Sequence, residues 1–514
     1  MMRWVCTLLF WRTALVAHLL LSLPPSSWAF SIGNSSSAFP IGIMLPITSY
    51  SQGLLAVAAA IELDFRKNYD EALRQRLGPP VVPISDLHPE LRLQVVIGTS
   101  HSSSAVAIDT LLTWLAGDKG VPRIRGLVGD VSSAISIPLA AIASARSIPQ
   151  VSGGSTSPLL SNKRQYPFFL RTIGSDVEQG HAIASWIRLF EVKLAVMVYS
   201  QEPYGQGLFQ STSTSAAAQA ALPGGGASLL GLPVDWDFEH SVSVALAQGP
   251  QICQEILSKG TKFIILGIVS IQITPLLFRM EEAGMLYGSH QFLGSESSTV
   301  QPSGMHVPSQ GLPSGFQKFQ PQPHGPLSTA FEELWRKLSV EDLYSEDARM
   351  RYMLDEMSIR VDDESAVEMV TQDFFASTDE LDRQLPWARF FFDAAYTFII
   401  AANSLMNEGV QLADISGTAL LDAMLTAQFE GLTGNVSFDS NGDRMASLQL
   451  LNYQVHSAES SQWVHVGDYR SDSTGGTLSL HANLTWAPHG TASIRPPAEL
   501  FECMDGFERL GGSS

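Results

Sequence analysis

The residues best placed to do chemistry in this 514-residue chain are hydroxyls and glycines rather than acids, bases or thiols. They gather in "GDVSSAIS", Gly129 to Ser136, and in "IPQVSGGSTSPLLS", Ile148 to Ser161. Each cluster accompanies a short apolar run. Small residues at the C-terminal end of a parallel strand leave backbone N–H groups uncovered. With neighbouring hydroxyls, those groups hold a carboxylate or another anion without a net charge. Ser132, Ser133, Ser155, Thr156 and Ser157 suit such a pocket. They suit helix capping as well, Ser132 before "SAISIPLAAIASA" and Ser155 or Ser157 before Pro158. The residue types leave both readings open.

Catalytic patterns are missing. "GGG" at Gly224 to Gly226 has no Lys and Ser after it, so it is not a nucleotide loop, and no HExxH zinc motif occurs. "GNVSF" lacks the second glycine of a serine-nucleophile motif. His181 falls in an amphipathic stretch and reads as structural. Asp362-Asp363 reads as an adjacent surface pair rather than the acid and nucleophile of a glycosidase. The expectation is a protein that is not an enzyme, with no metal site and no cofactor.

The elements that must position the hydroxyls follow from length and pattern. At this length two domains are expected, and 45% apolar residues can fill a core in each. A net charge of -19 argues against nucleic acid or an anionic membrane face as partner. Residues 1–29 read as a secretory signal: Arg3 and Arg12, the apolar run "ALVAHLLLSL", then Pro24-Pro25 and the small residues Ser27 and Ala29. The mature chain is thus expected in the secretory pathway, extracellular or at the cell surface, with glycosylation acceptors at Asn34, Asn435 and Asn483. Cys6 would leave with the signal. Cys253 and Cys503 remain, either bridged, unpaired or paired outside the chain. No later run reaches the roughly twenty apolar residues of a membrane span; the best, "ARFFFDAAYTFIIAA", contains Asp393.

Short apolar strands ("FPIGIMLPI", "LRLQVVIG", "IRGLVGD", "FFLRTIG") alternate with helical stretches ("SQGLLAVAAAIELDFRKNY", "SSSAVAIDTLLTWLAG"). A second such run begins near Asp176. Alternation of this kind predicts an α/β protein with mostly parallel sheets. Gly294 to Gly325, rich in Gly, Pro, Ser and Gln, reads by itself as a loop or linker. The acidic stretch from Val340 to Met369 reads as a solvated insertion, and the turn-rich tail after Gly431 as strands.

Four ordered pieces resemble the extracellular ligand-binding region shared by metabotropic glutamate, GABA-B and natriuretic peptide receptors: "IPQVSGGSTSPLLSNKRQYPFFLRTIGSD", "AVMVYSQEPYGQGLF", "FFDAAYTFIIAANSLMNEG" and "FEGLTGNVSFDSNGDR". The resemblance covers about residues 39–497. It implies a two-lobed, periplasmic-binding-protein-like type I fold, each lobe a mostly parallel sheet flanked by helices, with a ligand cleft between them. Lobe one would comprise 39–176 and 295–442, lobe two 177–294 and 443–497, and 498–514 a tail or connector. The resemblance also implies ligand contacts. Ser133, with Gly154, Ser155 and Thr156, would hold a ligand carboxylate, and Tyr204 would close over it. Members that bind α-amino acids carry an Asp after a strand late in the second run. The neighbourhood here, "LYGSHQFLG", offers His290 or Gln291 instead, and the cysteines of the glutamate-receptor first-lobe bridge are absent. A small polar organic ligand, amino acid or amino-acid-like, is the implied partner. So are a homo- or heterodimer through lobe one, and a membrane-spanning receptor portion or a separate membrane partner. The alternatives are a secreted solute-binding protein, a ligand-free dimerising pair of lobes and, last, an enzyme.

Overall fold

The computed structural model describes residues 30–32, 38–45, 52–117, 122–219, 227–236, 240–288, 290–298, 306–344, 372–384, 387–444, 447–457, 460–471, 476–486, 491–493, 495–497 and 500. The segment 1–29, Asn34, Gly224 to Gly226, most of the acidic stretch with Asp362-Asp363, and Cys503 lie outside them.

The first sheet has six strands: β1 (Phe30–Ile32), β2 (Phe39–Leu45), β3 (Leu93–Thr99), β4 (Gly126–Val128), β5 (Gln150–Ser152) and β6 (Phe169–Arg171), in the order β1-β3-β2-β4-β5-β6. From β2 to β6 every pairing is parallel; β1 alone runs antiparallel, along β3. All seven residues of β2 are buried, as a strand covered on both faces requires. On one face Trp114 lies flat on Gly42 and Gly98, where a Cβ would sit 2.5 Å from its ring. On the other, the Ala388–Asn407 helix brings Phe391, Phe392, Tyr396 and Phe398 into a core with Phe331 and Trp335 of the Ser328–Lys337 helix. Each such side chain contributes about 1.5–3 kcal/mol by leaving water. Asp393 on the long helix fixes the hairpin of β12 (Phe429–Gly431) and β13 (Gly434–Val436) by accepting from the backbone N–H of Leu432 (2.7 Å) and Thr433 (3.0 Å).

The second sheet has eight strands. β7 (Leu194–Ser200), β8 (Ser228–Val234), β9 (Phe263–Gly267), β10 (Gln291–Gly294) and β11 (Gln317–Pro321) make a parallel half. β14 (Leu448–Ser457), β15 (Ser460–Arg470) and β16 (Thr477–Leu480) add an antiparallel half beyond β11. The two sheets are therefore both mixed, each flanked by helices, in a two-lobed α/β architecture. The expectation of a mostly parallel sheet describes the first more closely than the second.

One boundary differs from the sequence reading. Gln317–Pro321, inside the segment expected to return to lobe one at residue 295, is a strand of the second sheet. The chain re-enters the first core only at the Ser328–Lys337 helix. The Gln- and Pro-rich composition conceals this strand, because its buried Gln317 is anchored by its amide oxygen, which accepts from Trp186 Nε1 at 2.7 Å, rather than by being apolar. The chain thus crosses between lobes three times, and the crossings touch: Arg171 N donates to Gly442 O (3.0 Å) and Gln322 N to Ser447 O (3.4 Å). Among the described residues no helix is long and apolar enough to cross a membrane.

Candidate ligand-binding site

The two hydroxyl clusters follow β4 and β5, neighbouring parallel strands, and so lie side by side. Ser152 Oγ donates to Asp130 O (2.6 Å) and accepts from the N–H groups of Gly154 (3.1 Å) and Ser155 (2.9 Å). Ser155 Oγ turns inward, 2.8 Å from Ser136 Oγ and 3.0 Å from Asp130 O. Ser155 therefore ties the two loops together, and Gly154 lets them approach, since a Cβ there would sit 2.9 Å from Val131 Cα. Ser133 Oγ accepts from Ser157 N at 3.1 Å and keeps its own proton for donation. The capping question has a structural answer. Ser132 and Ser157 occupy N-cap positions, yet neither side chain makes the capping hydrogen bond. Ser157 Oγ instead reaches the other lobe, donating to Pro203 O at 2.9 Å.

Arg171, at the end of β6, shapes this loop from behind. Its guanidinium donates to Ser155 O (3.2 Å) and Ser157 O (3.0 Å) and pairs with Asp443 at 2.6 Å. Below, Asp130 is fully buried, and burial raises its pKa to about 6.

The second lobe answers with carboxyl groups. Glu202 caps the Pro203–Gln219 helix, accepting from the N–H of Tyr204 (2.8 Å) and Gly205 (2.6 Å). The Tyr204 hydroxyl donates to Ser295 Oγ at 2.7 Å, just beyond the end of β10. Glu296 comes next, its N–H donating to Gln179 Oε1 (3.0 Å). The Gln179 amide nitrogen reaches both Glu296 and, at 3.2 Å, Asp176 Oδ1. Asp176 opens the Asp176–Leu189 helix, and its N–H donates to Thr156 O at 2.8 Å. The second carboxylate oxygen of Asp176 is buried with no hydrogen-bond partner. Burial, then Glu296, holds the Asp176 carboxyl well above the usual range, and burial raises Glu296 and Glu202 too. Lys318 on β11 is the nearby cation. Burial lowers it to about 8 against the pull of Glu296, and its ammonium sits 4.7 Å from the centre of the Trp463 ring.

Ser133, Gly154, Ser155, Thr156 and Tyr204 therefore fall in one region where the lobes meet, while His290 does not. His290 precedes β10, whereas Ser295 and Glu296 follow it, so about five residues at ~3.3 Å each separate them. Burial, with a smaller contribution from nearby Lys262, lowers the His290 pKa to about 4. His290 therefore lies apart from the cluster, and the carboxylate that follows this strand is Glu296 in "GSESS". Asp176, Glu202, Gln179 and Arg171 were also missed. The one available signal was the position of "GSESS" directly after an apolar strand. Beside the site, a groove of about 530 Å³ runs along the crossings, lined among others by Ser161, Glu178, Asp443, Arg444 and Arg470.

The family model described as "Receptor family ligand binding region" matches residues 84–456. The chain belongs to this family. It is 22% identical over 431 residues to metabotropic glutamate receptor 4 of Macaca fascicularis, across 75% of this chain and 44% of that receptor. It is 30% identical over 139 residues to the Rattus norvegicus metabotropic glutamate receptor 4 (24% of this chain, 15% of that receptor). Against the Homo sapiens extracellular calcium-sensing receptor it is 31% identical over 134 residues (23% of this chain, 12% of that receptor). The chain spans less than half the length of these relatives. It is a ligand-binding domain of the extracellular receptor type, and its likeness is to receptor ligand-binding regions, not to catalytic folds.

Proposed function

We propose that this chain is the ligand-sensing part of a membrane receptor, binding a small amino-acid-like molecule between its lobes and responding by cleft closure. The observation that carries the reading is polarity of the site. Ser133 and Thr156 lie on one side, and the buried carboxyls of Asp176 and Glu296 on the other. An α-amino acid presents a carboxylate to the first and an ammonium to the second. The ammonium gives the crowded carboxyls a counter-charge inside the cleft, where its attraction is strongest. Ser157 makes its contact with Pro203 across the meeting of the lobes, so binding that exists only in the closed form shifts the open–closed balance.

The wider reading keeps the signal segment 1–29, dimerisation through lobe one and attachment to a membrane-spanning portion or partner. Asn435 and Asn483 are exposed, as glycan acceptors must be. Cys253 is buried and unbridged, and burial raises its thiol to about 11, so it supports no reactive role. The relatives' names point to glutamate and calcium, so the test is calorimetric titration with L-glutamate, other amino acids, GABA-like acids and Ca²⁺. Stoichiometric heat from an amino-acid-like ligand, weakened by Thr156→Ala and Glu296→Gln, is the expected result. Absence of binding across the panel would refute the proposal.

A further inference from the structure

Away from the cleft, the edge of the second sheet gathers His465, Asp468 and His481, whose ligand atoms all lie within 4.8 Å of one another. His465 Nε2 is 2.9 Å from Asp468 Oδ1, and His481 Nδ1 is 3.7 Å from Asp468 Oδ2. We propose that these three side chains form a binding site for a divalent first-row transition ion, Zn²⁺ by preference, that ties β15 to the turn after β16.

The backbone is shaped for the grouping. Residues three apart on a regular strand point to opposite faces. Here β15 carries a bulge: Leu450 and Leu451 of β14 pair with Gly467 and His465, leaving Val466 as the extra residue. One extra residue reverses the alternation, so His465 and Asp468 share a face. Val466 O then accepts from His481 N at 3.0 Å, which brings the third side chain over the bulge. Gly467 lets β16 come close, since a Cβ there would sit 2.8 Å from Ser479 O.

The His481 imidazole is held in the form a metal needs, whereas His465 Nε2 lies 3.1 Å from Gly467 O and 2.9 Å from Asp468 Oδ1, hydrogen bonds that the ion replaces as it takes the Nε2 proton's place. His481 Nε2 is 3.2 Å from His465 O. A carbonyl only accepts, so the proton sits on Nε2 and the Nδ1 lone pair is free toward Asp468. This is the outer hydrogen bond by which ligating histidines are oriented. Ligands about 2.0–2.2 Å from Zn²⁺ stand about 3.3–3.6 Å apart in a tetrahedron, so the two Asp–His spacings need only small adjustment. All three side chains are partly exposed, at 37%, 33% and 47%, which gives the ion an entry path and a water-filled fourth position. Two imidazoles with one carboxylate favour Zn²⁺, Cu²⁺ or Ni²⁺ over Ca²⁺ and Mg²⁺, which require oxygen ligands.

The site is independent of what occupies the cleft. The test is titration of the untagged chain with Zn²⁺ by calorimetry, with Co²⁺ absorption as a second readout and Mg²⁺ as the negative arm. His465→Ala, Asp468→Asn and His481→Ala are compared with His456→Ala, an exposed histidine outside the group. The expected result is one Zn²⁺ per chain, weakened about tenfold or more by each of the three substitutions and unchanged by His456→Ala. The Co²⁺ spectrum should be that of a four-coordinate ion and vanish in the same three variants. No Zn²⁺ binding, or binding that fewer than two of the three substitutions weaken, would overturn the assignment.

Discussion

Replacing Glu296 by Gln removes one charge from the most crowded part of the site while keeping the side chain's size. In the ligand-free protein the wild-type carboxyl is buried, and its neighbour Asp176 is buried too, each with its pKa raised chiefly by desolvation. Such a group contributes favourably to the folded state only below its unfolded pKa, and that contribution is lost as pH rises through the raised value. Near neutral pH the substitution relieves the desolvation of a crowded carboxyl but also removes the pull of Glu296 on buried Lys318, so Tm should stay near level, with any gain fading in acid. Ligand affinity moves the other way. A charge-assisted hydrogen bond to an ammonium is worth about 1.5–3 kcal/mol, so Kd should rise about 10- to 150-fold. Differential scanning fluorimetry from acid to neutral pH and calorimetry with the bound amino acid read the two effects separately. A fall in Tm with unchanged Kd would refute the argument, because it would make Glu296 a structural group bonded to Gln179 and nothing more.

Other outcomes follow from named contacts. Asp130, raised from 3.8 to about 6 by full burial, costs about 3 kcal/mol of stability once ionised. Asp130→Asn should raise Tm above about pH 6 and lose that advantage below about pH 4, as thermal melts across pH will show. Asp393→Ala removes the carboxylate that faces the buried Arg444 at 3.7 Å, and an orphaned buried charge should cost about 3–5 kcal/mol in urea denaturation. Gly180→Ala would place a Cβ 2.7 Å from the backbone of Ser211 and Thr212 where two helices of the second lobe meet. Because backbone cannot step aside, a loss of about 1–3 kcal/mol is expected in the same assay.

The sequence made most elements visible wherever burial and periodicity agree. "LRLQVVIG", "KLAVMVYS" and "TKFIILGI" are strands because each is a continuous apolar run between two helical layers. β11 stayed hidden since its buried Gln317 and Lys318 are stabilised by Trp186 and Trp463 from other elements, a tertiary effect without local pattern. The small-residue segments that carry Ser133 and Thr156 were legible because each directly follows a short apolar parallel strand, with Ser133 opening the Ser133–Ala145 helix. The acidic half was not. Asp176 and Glu296 are 120 positions apart in sequence and meet only because Gln179 bridges them. Nor could spacing alone reveal that Val466 is an extra residue in its strand, which is what brings His465 and Asp468 to one face.

The central claim is that the loops after β4 and β5 and the carboxyls beyond β10 form one amino-acid-like binding site. Calorimetry of the chain against the amino-acid panel, repeated with Ser133→Ala and Thr156→Ala, tests it most directly. The account predicts one ligand per chain in the wild type and an affinity lowered several-fold or more by each substitution, with folding intact. A ligand that binds all three proteins equally well would contradict it.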